Sequence, residues 1–320
     1  MGQLPYSSMS HSAAPDLAVF YEHPAWFQPL FKALDRRGVS WAPIAIQDHL
    51  FDPADLSAPA PVVLNRLAMS SILRQDEHAI FYCQALLAHW ASSGARVING
   101  AGVLALDSSK ARQLSLFRSL GLDIPATRVV HRRQDVVRAA AQLRFPVMVK
   151  ANIGGSGSGM ARYDSLDELK TYADEGSTPT GVDGVALVQE YVPARDGRVI
   201  RCEVLDGKFL YAIALNGAGS TFDLCPADVC MTDKPTIAIE AYQPPPEIVR
   251  AVEALSLGAG LDVGGIEYMI DDRDGRARFY DLNALSNFVA NPVQVLGYDP
   301  HEVFVDYLIA QIDARRRAAA

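Results

Sequence analysis

The sequence predicts an α/β layer followed by a larger α+β portion. Three observations predict it: an opening strand–helix–strand pattern, a glycine-rich run between two extended segments, and a late hairpin carrying acidic residues. The 320 residues suit about two domains at roughly 150 residues each. With 49% hydrophobic and 21% charged residues the composition is ordinary globular usage, which excludes wholesale disorder and a coiled coil. A net charge of -8 gives no footprint for a nucleic-acid backbone or an anionic membrane, so any polyphosphate must be held locally. Met1 to Pro15 lack a cationic start followed by an apolar run, and no segment reaches the ~18 apolar residues of a membrane span. The expectation is a cytoplasmic protein with reduced cysteines. Cys225 and Cys230 lack a matching second pair for zinc, and Cys83 and Cys202 read as core residues.

Leu17 to Tyr21 reads as a strand, Trp26 to Arg37 as an amphipathic segment stopped by Gly38, and Val39 to Ile46 as a second strand. Pro61 to Leu67 and Ala95 to Ile98, flanking a helix around Glu77 to Ala91, complete a small parallel sheet. Its first turn reads Glu22-His23-Pro24 instead of a glycine-rich fingerprint, which suits a substrate or scaffold domain better than a dinucleotide binder. A new unit begins near Asp107-Ser108-Ser109, whose side chains can cap a helix running to Leu120 and closed by Gly121. There follow a helix near Asp135 to Leu143, strands at Pro146 to Lys150 and Met160 to Tyr163, and a capping box at Ser165 and Glu168. Val185 to Gln189 is the next strand. Asp206-Gly207 joins two more, Val199 to Leu205 and Lys208 to Leu215. The prolines at 244–246 introduce a helix to about Gly258, and Asp299-Pro300 opens the last one, ending in Arg315-Arg316-Arg317.

Gly154-Gly155-Ser156-Gly157-Ser158-Gly159 frees the backbone to turn its amides toward phosphate oxygens. The run lies between two strands, no Lys-Ser or Lys-Thr follows it, and Met160 stands where a third fingerprint glycine would be; a phosphate loop before a helix and a dinucleotide turn are both excluded. What remains is a flap over a nucleotide, against the plainer reading of a surface loop. Lys150 at its foot can neutralise phosphate charge, or it is a strand-end lysine in solvent. A protein-kinase reading lacks its downstream His-Arg-Asp and Asp-Phe-Gly elements.

Residues 265–272 and 276–283 flank Arg273-Asp274-Gly275, a three-residue hairpin loop with glycine at the left-handed position. If Asp272 faces Arg276, then Glu267 faces Asp281, and Asn283 points the same way. Two opposed carboxylates repel unless a cation lies between them, and these oxygens suit Mg²⁺ shared with phosphates. The competing reading is a solvent-facing polar stripe; Ile266, Tyr268, Leu282 and Gly264-Gly265 argue instead for a buried hairpin and for metal.

Together these residues make the chain resemble the ATP-grasp enzymes, especially the branch of glutathione synthetase, D-alanine–D-alanine ligase and the peptide glutamate ligases. The resemblance covers about residues 107–312. It rests on Val147-Met148-Val149-Lys150 with the glycine flap, Gln189-Glu190-Tyr191-Val192, Arg201, Glu267, and Asp281-Leu282-Asn283. It implies an N-terminal Rossmann-like α/β pre-ATP-grasp domain (1–106) and a two-lobed ATP-grasp fold: a small lobe with the flap (107–190) and a C-terminal lobe with the metal site (191–320). It further implies that Lys110 and Lys150 contact ATP phosphates and that Gln189, Glu190, Tyr191 and Val192 form the hinge beside adenine. Glu267, Asp281 and Asn283 would hold Mg²⁺ or Mn²⁺, and Arg201 would steady the phosphate or an acyl-phosphate. Against these stand an exposed Lys110, ordinary strand-end polars at 189–190, and an Arg201 paired with Asp228 or Asp223.

The chain departs from the family pattern in places. Val199 replaces an aspartate two residues before the arginine, leaving Asp196 as the candidate ribose contact. Glutamate precedes aspartate in the metal set, and Ala284-Leu285-Ser286-Asn287-Phe288 replaces a small-residue turn with Pro-Gly, so the acceptor pocket should differ. The activity implied is amide-bond formation between a small-molecule carboxylate and an amine, amino acids or a peptide among them, through an acyl-phosphate. Its rivals are a small-molecule kinase and a non-catalytic nucleotide-binding module, and a homo-oligomer is compatible with the sequence.

Overall fold

The computed structural model describes residues 14–47, 49–74, 78–155, 159–216 and 238–320. The chain opens with β1 (Leu17–Tyr21), α1 (Gln28–Arg36), β2 (Trp41–Ala45), β3 (Val62–Arg66), α2 (Ala79–Ser92) and β4 (Arg96–Ile98). The four strands pair in parallel in the order β2-β1-β3-β4, as helix-separated strands must. Successive strand residues face opposite sides, so Leu17 and Val19 join one core while Ala18 and Phe20 join another. Ile80, Leu86, Leu87 and Trp90 of α2 cover the second face. The first is covered by α1 and by α9 (Pro300–Ala319), through Leu30, Leu34, Phe304 and Leu308. At the turn after β1, Glu22 is buried and ion-pairs with Arg74, whose guanidinium lies 4.7 Å from the centre of the Trp26 ring.

Two helices follow β4: α3 (Ala101–Asp107), which the sequence reading did not resolve, and α4 (Lys110–Ser119), whose Ser109 cap accepts the Arg112 amide at 3.4 Å. A second sheet is then built from β5 (Thr127–Val130), β6 (Val147–Ala151), β7 (Met160–Tyr163) and β8 (Ala186–Glu190), antiparallel in the order β5-β8-β6-β7. Val147, Val149 and Val188 pack against α5 (Val136–Ala140) and α6 (Leu166–Asp174). By alternation, Met148, Lys150 and Gln189 present to the other side.

The third sheet contains β9 (Ala194–Leu205), β10 (Lys208–Asn216), β11 (Ala238–Tyr242), β12 (Val263–Asp271) and β13 (Ala277–Asn283), in the order β11-β10-β9-β12-β13. One face, through Ile200, Cys202, Val204, Ile266, Tyr268, Phe279 and Leu282, packs on Phe117 of α4 and Leu255 of α7 (Pro246–Ala259). On the opposite face Val199, Tyr211, Ile213 and Val263 merge with the core of the first sheet. Helix α4 thus packs on the third sheet and α9 on the first, so the apolar cores cross the divisions expected at 106 and 190. Cys83 and Cys202 are buried free thiols, and burial raises both pKa values. Cys225 and Cys230, like Asp223 and Asp228, lie outside the described residues. Among the described residues no helix is long and apolar enough to cross a membrane.

Candidate active site

Strands β12 and β13 set Glu267 opposite Asp281 and Gly265 opposite Asn283, the pairing expected from the sequence. The route to it differs. At the turn the Asp271 amide donates to the Arg276 carbonyl at 2.9 Å and Ile270 pairs with Ala277, so Asp272 does not face Arg276. A bulge corrects the register: Tyr268 faces Phe279 while Glu267 faces Asp281, leaving Tyr280 as the extra residue. Gly275, at φ 73°, occupies the left-handed position that closes the turn. The bulge sends both Tyr280 and Asp281 to the side of Glu267, and the Tyr280 hydroxyl donates to Glu267 Oε2 at 2.8 Å.

Three cationic side chains meet or approach these carboxylates, and a fourth lies near Glu203. Lys110, at the first turn of α4, reaches across to ion-pair with Asp281. Arg201 on β9 donates to Glu267 Oε1 at 2.9 Å and to Glu203 Oε1 at 2.6 Å. Its guanidinium lies over Gly265, where a Cβ would stand 2.4–2.6 Å from it. Lys150, from the facing sheet, donates to Gln189 Oε1 at 2.7 Å, with its ammonium 5.8 Å from the Tyr280 ring centre. Arg66, at the end of β3, is the fourth; it feels the Glu203 charge without pairing with it. Asn283 donates to Asp281 Oδ2 at 3.3 Å, which leaves its side-chain oxygen for a ligand. Among the described residues no three or more His, Cys, Asp or Glu are arranged so as to hold a metal ion by themselves. The donor set of two carboxylates and one amide oxygen nevertheless fits a hard divalent cation that completes its shell with phosphate oxygens.

The electrostatics follow from burial. Loss of water and the neighbouring Lys110 charge bring the Lys150 pKa down to about 8. Burial opposes the charge on Lys110, but Asp281 outweighs it and raises that pKa. Burial and the Asp281 charge raise Glu267 against the pull of Arg201. Asp107, buried beneath the site and accepting the Ala284 amide at 3.1 Å, is pushed up to about 7.

In the segment expected to form the hinge, Gln189 is buried and also donates to Thr127 Oγ1 at 2.9 Å, and Glu190 Oε1 accepts the Arg144 amide at 3.1 Å. Arg162 lies over the Tyr191 ring at 4.5 Å, and Val192 is buried. The strands that flank the glycine run are antiparallel, with Lys150 paired to Met160 and the Ala151 amide donating to the Gly159 carbonyl at 2.7 Å. Gly154 leads to Gly155, which lies so close to Ser70 that a Cβ would approach within 3.1 Å. Ser156, Gly157 and Ser158 lie outside the described residues.

Lys110, Lys150, Gln189, Arg201, Glu267, Asp281 and Asn283 are therefore gathered at one place, while Glu190, Tyr191 and Val192 line the adjoining strand end. The sequence reading missed Tyr280, Glu203, Asp107 and Asn152. The last of these organises α4: its Oδ1 accepts from Ser109 Oγ and the Ala111 amide, and its carbonyl accepts the Lys110 amide.

Residues 107–227 match the RimK-like ATP-grasp domain family. The chain carries an ATP-grasp domain. It is 34% identical over 126 residues to D-alanine–D-alanine ligase B of Pseudomonas syringae pv. tomato, covering 39% of this chain and 38% of that one. A probable alpha-L-glutamate ligase of Picosynechococcus is 26% identical over 199 residues, covering 62% and 63%. The chain thus spans less than two thirds of the length of either curated relative. The ATP-grasp fold extends further: the ATP-grasp ligase PsnB complexed with its minimal precursor superposes with TM-score 0.67 at 18% identity, covering 93% of this chain and 99% of that one.

Proposed function

We propose that the protein is an ATP-dependent carboxylate–amine ligase. The observation that carries this reading is the opposed pair Glu267 and Asp281, with Asn283, facing Lys110 and Lys150 across the junction of two sheets in an ATP-grasp fold. In the reaction a substrate carboxylate attacks the γ-phosphorus of ATP and ADP leaves, giving an acyl-phosphate. An amine then attacks that carbonyl and phosphate leaves, giving the amide.

Each group has work suited to its chemistry. Lys150 and Lys110 neutralise phosphate charge, and the amides of Gly154 to Gly159, with Ser156 and Ser158, close over the triphosphate and keep water from the acyl-phosphate. Gln189 orients Lys150 through the bond it already makes, and Glu190, Tyr191 and Val192 offer the hinge beside the base. Glu267, Asp281 and Asn283 would hold Mg²⁺, or Mn²⁺ in its place, supplying charge neutralisation between the phosphates. Arg201, held by two carboxylates, presents fixed positive charge to the transferring group. No protein nucleophile is required. Residues 1–106 serve as the preceding domain that closes the substrate side, with 107–190 and 191–320 as the two nucleotide-binding lobes. The substrates are a small carboxylate and an amine, with an amino acid or a peptide end on either side.

The test is ADP release with Mg²⁺-ATP, pooled amino acids and small carboxylic acids, with hydroxylamine present to trap acyl-phosphate. Hydroxamate from the wild type and none from Asp281→Ala supports the ligase. ADP release that yields a phosphorylated alcohol and no hydroxamate overturns it.

A further inference from the structure

Among the described residues β13 is the last strand of its sheet, so every second residue turns its amide and carbonyl outward with no strand to receive them. Side chains take that place. Leu282, between Asp281 and Asn283, donates its amide to Gln113 Oε1 at 3.1 Å, and its carbonyl accepts Gln113 Nε2 at 2.9 Å. Two residues on, the Ala284 amide donates to Asp107 Oδ1 at 3.1 Å and the Ala284 carbonyl accepts Asn99 Nδ2 at 2.8 Å. Gln113, Asp107 and Asn99 are all buried, and together they stand in for a neighbouring strand.

A carboxamide carries an acceptor and a donor side by side in one plane, as a peptide unit does, so a single glutamine satisfies both outward groups of Leu282. Gln113 Nε2 also lies 3.2 Å from the Asp107 carbonyl, which ties it to the end of α3. It stands on α4 one turn beyond Lys110, which ion-pairs with Asp281. One helix face thus grips two consecutive residues of β13, Asp281 by its side chain and Leu282 by its backbone. The Leu282 side chain joins the core with Phe117, and by alternation Asp281 and Asn283 face the other way. Rotation of the strand about Leu282 would therefore swing both away from Glu267. The ladder to β12 restrains one edge only, and it is interrupted immediately before Asp281 by the bulge at Tyr280. Gln113 restrains the other edge.

We infer that Gln113 is a positioning residue for the cation site: by holding the amide and carbonyl of Leu282 it fixes the aim of Asp281 and Asn283 opposite Glu267. This rests on the reading of Glu267, Asp281 and Asn283 as cation ligands in a ligase. Gln113 touches neither cation nor substrate and acts through the backbone between two of the ligands. Without its carboxamide the Leu282 amide and carbonyl lose their partners in a buried place, and the strand edge must shift to recover them. Oxygen ligands moved off their positions hold a cation poorly, because coordination distances are set to within about 0.2 Å.

The experiment is titration of the full chain with Mn²⁺ in saturating ADP, read as loss of the free-ion electron paramagnetic resonance signal. Gln113→Met keeps the length of the side chain and removes the carboxamide. Ser256→Ala removes another buried bond, from α7 to the Leu261 carbonyl outside the ligand-bearing segments, and controls for lost stability alone. The expected result is Mn²⁺ affinity about tenfold weaker in Gln113→Met and unchanged in Ser256→Ala, with ADP affinity in EDTA unchanged in both by calorimetry. Unchanged Mn²⁺ affinity in Gln113→Met overturns the inference, as does equal weakening in Ser256→Ala or a wild type that takes up no Mn²⁺. If Gln113→Met does not fold, Gln113→Asn, one methylene short of Leu282, decides by the same comparison. Mn²⁺ uptake that depends on Gln113, with no hydroxamate formed, keeps the positioning role and removes the ligase. Hydroxamate formed with the same Mg²⁺ dependence in wild type and Gln113→Met keeps the ligase and removes the positioning role.

Discussion

Gly265 has no room for a side chain because Arg201 fills that room, and Arg201 lies flat there because Glu203 and Glu267 pull on it from two sides. Adding one methyl at Gly265 must displace the guanidinium and break at least one of two buried charge-assisted bonds. Gly265→Ala should lower turnover by more than tenfold, with a fall in thermal stability that circular dichroism would register. Lys150 gives a second prediction at this scale. Its pKa of about 8 means that the ammonium loses its proton as pH rises through that value, and only the cationic form attracts phosphate. ATP affinity should therefore fall between about pH 7.5 and 9, by at most about tenfold per unit, and Lys150→Arg should remove the dependence in a titration series. Single residues also mark what the sequence could tell. Glu203 was legible in retrospect, since it lies two residues from Arg201 on one strand and must share its face. Arg66 was not, because apart from Phe27 its neighbours Ser286 and Phe304 lie over two hundred residues away and no local spacing connects them.

The β12–β13 hairpin shows how an element can be placed correctly by an argument that fails in part. Counting back from the turn, with Asp272 opposite Arg276, gives Glu267 opposite Asp281. The turn is in fact one residue different, and the bulge at Tyr280 compensates. Bulges leave little trace in hydrophobic alternation when the extra residue is amphipathic, as tyrosine is. Deleting Tyr280 should return the ladder to continuous register with Glu267 still opposite Asp281, so that Asp281 and Asn283 keep their face and only the bulge and its tyrosine are lost. The deletion variant is expected to keep measurable ADP release, while Tyr280→Phe, lacking only the hydroxyl on Glu267, should lose about 1 kcal/mol of stability in urea unfolding and keep turnover. Short strands set off by their flanking residues, such as the apolar run of β1 and the segment after the glycines that forms β7, were legible to the residue. The short helices α3 and α8 (Pro292–Leu296) were not, having too few turns for a period to emerge.

At the scale of the whole molecule, the site is where three sheets converge. The small sheet offers Lys150 and Gln189, the large one Arg201, Glu267, Asp281 and Asn283, and the first sheet Arg66 and the Ser70 surface against which Gly155 lies. Convergence of this kind is invisible to a reading that proceeds along the chain, which finds units by their caps and turns and not by what they pack against. The packing of α9 on β1, α1 and β3 has one more consequence, which concerns synthesis. A ribosome adding about 5–20 residues per second completes the first sheet long before Phe304 and Leu308 exist to cover it, and until then that face has only α1 and, once made, the third sheet's Val199, Ile213 and Val263 against it. The nascent chain must keep this apolar surface from other molecules for about 10–40 seconds. Arrested chains ending at Asp299 should accordingly be cut by protease within the first sheet and be held by chaperones, and those extended through α9 should resist both.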